Sequence, residues 1–349
     1  MQIAIIAITG NGARIGETLH RGIPESRLFV IQKHATGDAH PFSNGVQALM
    51  DRLWSDYDGF VFIMATGIVV RTIAPLLQAK DRDPAVVVLD DAGRFAVSLL
   101  SGHIGGANAL AKRCAELTAS IPVITTATDV NNLPSFDMLA KENGWLIDDL
   151  ARVKVLNALL LEGKEIAVVD HGNAVRSYCA GRGNLSYFPN LDLALKSGAS
   201  GQLIVTNGII LRQQNLDRTL VLRPRNLCLG IGCNRDTSAE EIEAVVTANL
   251  EWLALSIKSV KCIATARAKW DEAGLLAFAR KSGIPIHLYD SEELNGVEVP
   301  SPASAHAFAA IGARGVAEPA ALLASEGGRL LLQKVRDGNV TLAIAETLS

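Results

Sequence analysis

Short, mostly apolar runs separated by helix-length segments recur from the first residues of the chain. That alternation limits the possible folds more than any other feature. Residues 2–8, 28–31, 60–63, 85–89 and 95–100 read as strands, and segments near 13–21, 46–54 and 107–118 read as helices. A strand covered on both faces shows a continuous apolar run, and consecutive parallel strands need a crossover helix. The pattern predicts a parallel α/β sheet in the first part of the chain.

From about Asp148 the texture changes. A helical pattern to Leu161 gives way to short strand-like pieces at 165–169, 203–205, 209–211 and 219–223, set among loops rich in Gly, Asn and Ser. Beyond Pro224 the strand–helix alternation returns. Strands are expected at 227–231, 286–288, 329–332 and 340–344, with helices at 239–250 and 316–323. Ser238 and Glu241 have the spacing of a capping box. The expected fold class is α/β, with a parallel N-terminal domain (1–135), a small middle α/β domain (136–225) and a C-terminal α/β domain (226–349).

Several functions are disfavoured by composition. A net charge of −3 with 5% aromatics lacks the basic patch and stacking surface of a nucleic-acid binder. No apolar run approaches the roughly 18 residues of a membrane span. Five scattered cysteines match neither a zinc site nor a disulfide framework, so a soluble, cytoplasmic protein is expected. Gly10, Gly12 and Gly16 fall out of step with the dinucleotide fingerprint, and Gln32-Lys33 stands where its acidic residue belongs.

Polar residues gather between positions 64 and 108 at successive strand ends, where an open α/β sheet binds ligands. This segment is the expected active site. Three of its stretches are Ala65-Thr66-Gly67-Ile68-Val69-Val70-Arg71, Lys80-Asp81-x-Asp83-Pro84 running on to Asp90, and Leu100-Ser101-Gly102-His103-x-Gly105-Gly106-Ala107-Asn108. The last third adds Gly230-Ile231-Gly232-Cys233-x-x-x-Thr237-Ser238, Ser291-Glu292-Glu293-Leu294-Asn295, Val316-Ala317-Glu318-Pro319 and a strand carrying Lys334. In this order the two motif sets resemble the cobalt-precorrin-5A hydrolase family of anaerobic cobalamin biosynthesis. The resemblance implies a cobalt tetrapyrrole substrate whose δ-lactone is opened with loss of acetaldehyde. It also implies that cobalt arrives with the substrate, with no protein-bound cofactor. A homodimer and transient contacts with other enzymes of that pathway fit the same reading.

Lactone hydrolysis needs an activated water, donors for the oxyanion and a proton for the leaving group. His103, in a glycine-rich strand-to-helix turn, is the candidate general base, with capping or packing as its alternative role. Asp83 and Asp90 are candidates to orient a base, although turn residues look the same. Ser101, Gly105, Gly106 and Asn108 could present groups to a ligand or simply shape the turn. Thr66, Gly67 and Thr126 sit at further strand ends, Thr126 as either a cap or a contact. Arg71 and Lys80 suit the carboxylates of a macrocycle. Gly230, Gly232 and Thr237 could cradle an anion; Cys233 has a helix start nearby that would lower its pKa, with a purely structural role as its alternative. Lys334 is a further candidate charge contact. The competing reading is a carrier that binds and delivers a corrinoid intermediate without catalysis.

Overall fold

A computed structural model describes residues 1–79, 82–210 and 216–347. The chain forms two compact units, the first ending at Met138. It is an α/β protein with three parallel-rich sheets.

The first unit holds β1 (Ile3–Ala7), β2 (Ser26–Ile31), β3 (His40–Phe42), β4 (Gly59–Ile63), β5 (Ala85–Leu89), β6 (Phe95–Leu100) and β7 (Ile121–Val123). They form one seven-stranded sheet in the order β3-β2-β1-β4-β5-β6-β7. Alternate residues along a strand serve opposite faces. Ile3, Ile5, Val61, Ile63, Val87 and Leu89 pack under α1 (Gly10–Gly22), and with them pack Leu110 and Cys114. Ala4, Ile6, Phe60, Phe62, Val86 and Val88 form the opposite core with Leu49, Met50, Val69 and Ile73. The latter come from α2 (Gly45–Leu53) and α3 (Thr66–Ile73), while α4 (Ala107–Thr118) lies beside α1. Each of the Val, Leu, Ile, Met and Phe side chains among them contributes about 1.5–3 kcal/mol through burial. That double coverage is why these runs are apolar throughout.

One pairing is reversed. Every neighbouring pair in this sheet is parallel except β5 and β6, which are antiparallel, with Leu89 opposite Ala96 and Val86 beside Leu100. The cause is the short turn between them, since a parallel crossover needs a dozen or more residues. Gly93 adopts φ 64° there, and the Asp90 carboxylate accepts the amides of Arg94 (2.7 Å) and Phe95 (2.8 Å). Because β7 runs parallel to β6, both strands end at the sheet edge opposite the ends of β1, β4 and β5. The expectation that residues 64–108 line one crevice is corrected accordingly: they divide between two edges. Two short helices follow β7, α5 (Ala127–Val130) and α6 (Phe136–Glu142).

The second unit contains two sheets. In one, β8 (Leu146–Ile147), β9 (Ile166–Val169), β10 (Leu185–Tyr187), β11 (Gly201–Val205) and β12 (Thr219–Arg223) are ordered β10-β9-β11-β12-β8, with α7 (Leu150–Leu161), α8 (Ala174–Cys179) and α9 (Leu191–Lys196). The strand expected at 209–211 is not formed at 209 and 210, and Leu211 lies outside the described residues. In the other sheet, β13 (Leu227–Cys233), β14 (Val260–Ala266), β15 (Ile286–Tyr289), β16 (Arg329–Asp337) and β17 (Val340–Glu346) are ordered β15-β14-β13-β17-β16. Its helices are α10 (Ala239–Trp252), α11 (Ala273–Ser282), α12 (Ser291–Asn295), α13 (Ala305–Ile311) and α14 (Ala317–Ala324). Buried Arg223 grips Asp148 Oδ2 at 2.7 and 2.9 Å, and Lys258 Nζ holds the other oxygen at 2.8 Å. Only half of the expected capping box at α10 forms. Ser238 accepts the Glu241 amide, but the Glu241 carboxylate turns away to accept the Asn339 amide at 2.9 Å.

Candidate active site

The turn after β6 is held tight by its glycines. Ser101 adopts a left-handed φ of 56°, and Gly106 reaches 93°. A Cβ on Gly105 would lie 2.3 Å from the Ser101 side chain, so only glycine fits. The amides of Ala107 and Asn108 return to the carbonyls of Ser101 (3.1 Å) and Gly102 (3.0 Å), while the Gly106 amide bonds the His103 carbonyl at 2.9 Å. The turn folds around its own backbone and brings His103 into the protein.

His103 is 8% exposed, and both ring nitrogens are engaged. Nε2 faces Asp129 Oδ2 at 2.8 Å and Thr128 Oγ1 at 3.1 Å. Nδ1 faces Ser135 Oγ at 3.3 Å and Asp137 Oδ2 at 3.6 Å. Asn108 Nδ2 donates to Asp129 Oδ2 and Thr126 Oγ1, each at 3.0 Å, and Asn108 Oδ1 accepts from Ser98 Oγ at 2.7 Å. Because β6 and β7 are parallel neighbours, their following loops meet at one edge, and this cluster is the result.

The partners of the ring favour one protonation state. The Ser135 hydroxyl donates its one proton to Asp137, so toward Nδ1 it can only accept. Nε2 faces a carboxylate, which also accepts. Both nitrogens thus face acceptors, an arrangement that favours the protonated ring. Asp137 is the largest cause raising the His103 pKa; burial opposes it, and Asp129 adds to the rise. Burial alone would raise Asp137, but His103 and Ser135 outweigh it and hold its carboxyl at about 2. An imidazolium has no lone pair with which to take a proton from water, so these surroundings disfavour the expected role of His103 as a free imidazole base.

Asp129 is the solvent-facing member. Its side chain is 32% exposed, against 3% for Asp137. Oδ2 is anchored twice, and among the described residues Oδ1 has no partner. Thr125 to Asp129 stand out in the sequence as hydroxyls and a carboxylate at a strand end, readable as a cap. Ser135 and Asp137 carry no such signal, because Ser and Asp occur at any helix start.

The other candidates are distributed as follows. Asp83 is buried at the His103 edge; its Oδ1 accepts the Gln78 amide at 2.9 Å, and its carbonyl accepts Ser101 Oγ at 2.9 Å. Asp90, Thr66 and Gly67 lie at the opposite edge, beyond β5 and β4. Arg71 is exposed and folds back along its helix, 3.4 Å from where a Cβ on Gly67 would stand. Lys80 lies outside the described residues.

In the C-terminal sheet, Gly230 sits inside β13, where a Cβ would stand 1.8 Å from the Ala317 carbonyl oxygen; the glycine admits α14. Gly232 has space around it, its nearest neighbour being Val316 at 3.7 Å. Thr237 is buried and closes the loop onto the Asn234 carbonyl at 2.8 Å. The Asp236 amide goes to buried Glu272 at 2.8 Å. Burial raises the Cys233 thiol pKa, only partly offset by Lys269, so the expected lowering by the helix start does not occur. The Lys334 amide bonds buried Glu318 at 2.9 Å, and its Nζ reaches the Pro302 carbonyl at 3.2 Å. Among the described residues no group of three His, Cys, Asp or Glu side chains is placed to hold a metal ion. No helix among them is long and apolar enough to cross a membrane.

Fold and site define an α/β protein with a carboxylate–histidine–carboxylate centre at the end of a reversed strand pair. Family models described as cobalamin synthesis G N-terminal, cobalamin biosynthesis central region and cobalamin synthesis G C-terminus match residues 48–129, 134–224 and 227–345. The cobalt-precorrin-5A hydrolase of Priestia megaterium is 38% identical over 98% of this chain and 94% of its own. That of Salmonella typhimurium is 32% identical over 98% and 97%. A solved structure of a cobalamin biosynthesis protein G homolog from Sulfolobus solfataricus is 24% identical, covers 99% and 97% of the two chains and has a TM-score of 0.36. The chain belongs to the cobalt-precorrin-5A hydrolase family.

Proposed function

We propose that this protein hydrolyses cobalt-precorrin-5A, opening its δ-lactone and releasing acetaldehyde in cobalamin biosynthesis. The observation that carries this reading is a carboxylate–histidine–carboxylate cluster in a chain aligned almost end to end with relatives of that name. Asp129 is partly open to solvent, and His103 and Asn108 hold one of its oxygens. Such a centre serves general acid–base chemistry, whereas a carrier needs none. Hydrolysis frees the lactone's ring oxygen. Loss of its proton and collapse to a carbonyl then break the adjacent carbon–carbon bond, and the macrocycle takes up both the electron pair and a proton. Cobalt is part of the substrate in this reading, and the protein brings no cofactor.

The test is incubation of purified protein with the cobalt lactone tetrapyrrole, with acetaldehyde followed through alcohol dehydrogenase and NADH. Stoichiometric acetaldehyde is expected. Tight substrate binding with no acetaldehyde would instead support the carrier.

A further inference from the structure

We propose that Asp129 is the residue that takes the proton from the attacking water, and that His103, Asp137 and Ser135 are positioning residues behind it. The inference rests on the hydrolase reading above and assigns its chemistry within the site.

The geometry separates the roles. A general base must reach the water, and in this cluster His103 and Asp137 are buried while Asp129 is 32% exposed. Asp129 Oδ2 is fixed by two donors, His103 Nε2 at 2.8 Å and Asn108 Nδ2 at 3.0 Å. Those contacts aim the carboxylate and leave Oδ1 for the water. Behind it, Asp137 supplies the counter-charge that lets a buried ring remain charged. The titratable groups facing the ring are Asp129 from α5 and Asp137 from α6, with Thr128 and Ser135 as the neutral contacts.

The step balances without an oxidant or reductant. The water oxygen bonds to the acyl carbon as one water proton passes to Asp129 Oδ1. The tetrahedral intermediate then breaks the acyl–oxygen bond of the ring. The departing alkoxide oxygen takes the proton from Asp129, leaving a carboxylic acid, a free hydroxyl and the original carboxylate.

The experiment measures acetaldehyde release by wild type and variants across pH. Asp129→Asn should keep KM within a few-fold while kcat falls by about 10² to 10⁴. Asp129→Gly should regain part of that rate with added formate, which a structural role would not allow. His103→Gln keeps a donor toward Asp129 and should retain far more activity than Asp129→Asn. Any pH dependence of wild-type kcat/KM near pH 6.5, where a free imidazole base would titrate, should persist in His103→Gln. Asp137→Asn should lower kcat while KM stays within a few-fold, because the ring that aims Asp129 is less firmly held. Wild-type turnover by Asp129→Asn, or a wild-type acid limb near pH 6.5 abolished by His103→Gln, would overturn the assignment and leave the hydrolase reading intact. Absence of acetaldehyde from the wild type would remove both.

Discussion

His103 Nε2 and Asp129 Oδ2 lie 2.8 Å apart although 26 residues separate them in the chain. Both belong to loops that leave parallel strands, β6 and β7, at the same sheet edge. The meeting depends on the hairpin before β6. Had β5 and β6 been parallel, His103 would have emerged beside Thr66 and Asp90. The Asp90 turn, which contributes nothing to the cluster directly, thus decides on which edge it is built.

Removing the counter-charge of His103 should destabilise the protein in a pH-dependent way. A histidine whose folded pKa is raised adds stability that is complete below its unfolded value of about 6.5 and lost as pH rises through the folded value. Asp137, lowered to about 2, adds stability above its unfolded value that is lost as pH falls toward 2. The pair is therefore most stabilising between about pH 4 and 6.5. Asp137→Asn should cost on the order of 3 kcal/mol there and clearly less at alkaline pH. Urea unfolding at two pH values checks this; an equal loss at both would contradict the charged pair.

Two glycines of one motif should respond differently to alanine. At Gly230 the new methyl would meet the Ala317 carbonyl oxygen at 1.8 Å and Ala321 Cβ at 2.9 Å, both on α14. Backbone cannot yield as a side chain can, so a loss of about 1–3 kcal/mol is expected. Gly232→Ala meets nothing nearer than 3.7 Å and should change stability by about 0.5 kcal/mol or less. Thermal melts of the two variants separate packing from any role in ligand binding.

The contrast shows what the sequence exposes. Residues 85–89, 95–100 and 107–118 stand out as elements because continuous burial and helical periodicity mark them directly, and the structure has them at those bounds. The direction of β6 is written in a short Asp-Asp-Ala-Gly turn, a weaker signal than the strands it joins. Asp137 carries no mark of its own, because a helix-start aspartate looks alike whether it caps or holds a histidine. His103 is marked in the sequence by its glycines, yet their tightness against Ser101 serves the turn, and the ring's partners come from a segment more than 20 residues away.

Chelation should leave the reaction unchanged. If cobalt is carried by the substrate, protein treated with EDTA and desalted should open the lactone at the untreated rate. A rate loss restored by added zinc or cobalt would require a resident metal.

The final prediction concerns Asp90. Its Oδ1 accepts the amides of Arg94 at 2.7 Å and Phe95 at 2.8 Å, and Oδ2 takes the Arg94 guanidinium at 3.4 Å. Burial, which would raise its pKa, is outweighed by the Phe95 and Arg94 hydrogen bonds. An asparagine at this position can present one carbonyl oxygen to the same two amides but forfeits the charge. Asp90→Asn should therefore cost about 1 kcal/mol or less of stability. Since Asp90 sits at the edge opposite His103, kcat should change by no more than about threefold, far from the 10² to 10⁴ that losing a general base costs. Steady-state acetaldehyde release by this variant, compared with Asp129→Asn under the same conditions, decides which edge carries the chemistry. A loss of a hundredfold or more in kcat from Asp90→Asn would move the reaction to the ends of β4 and β5.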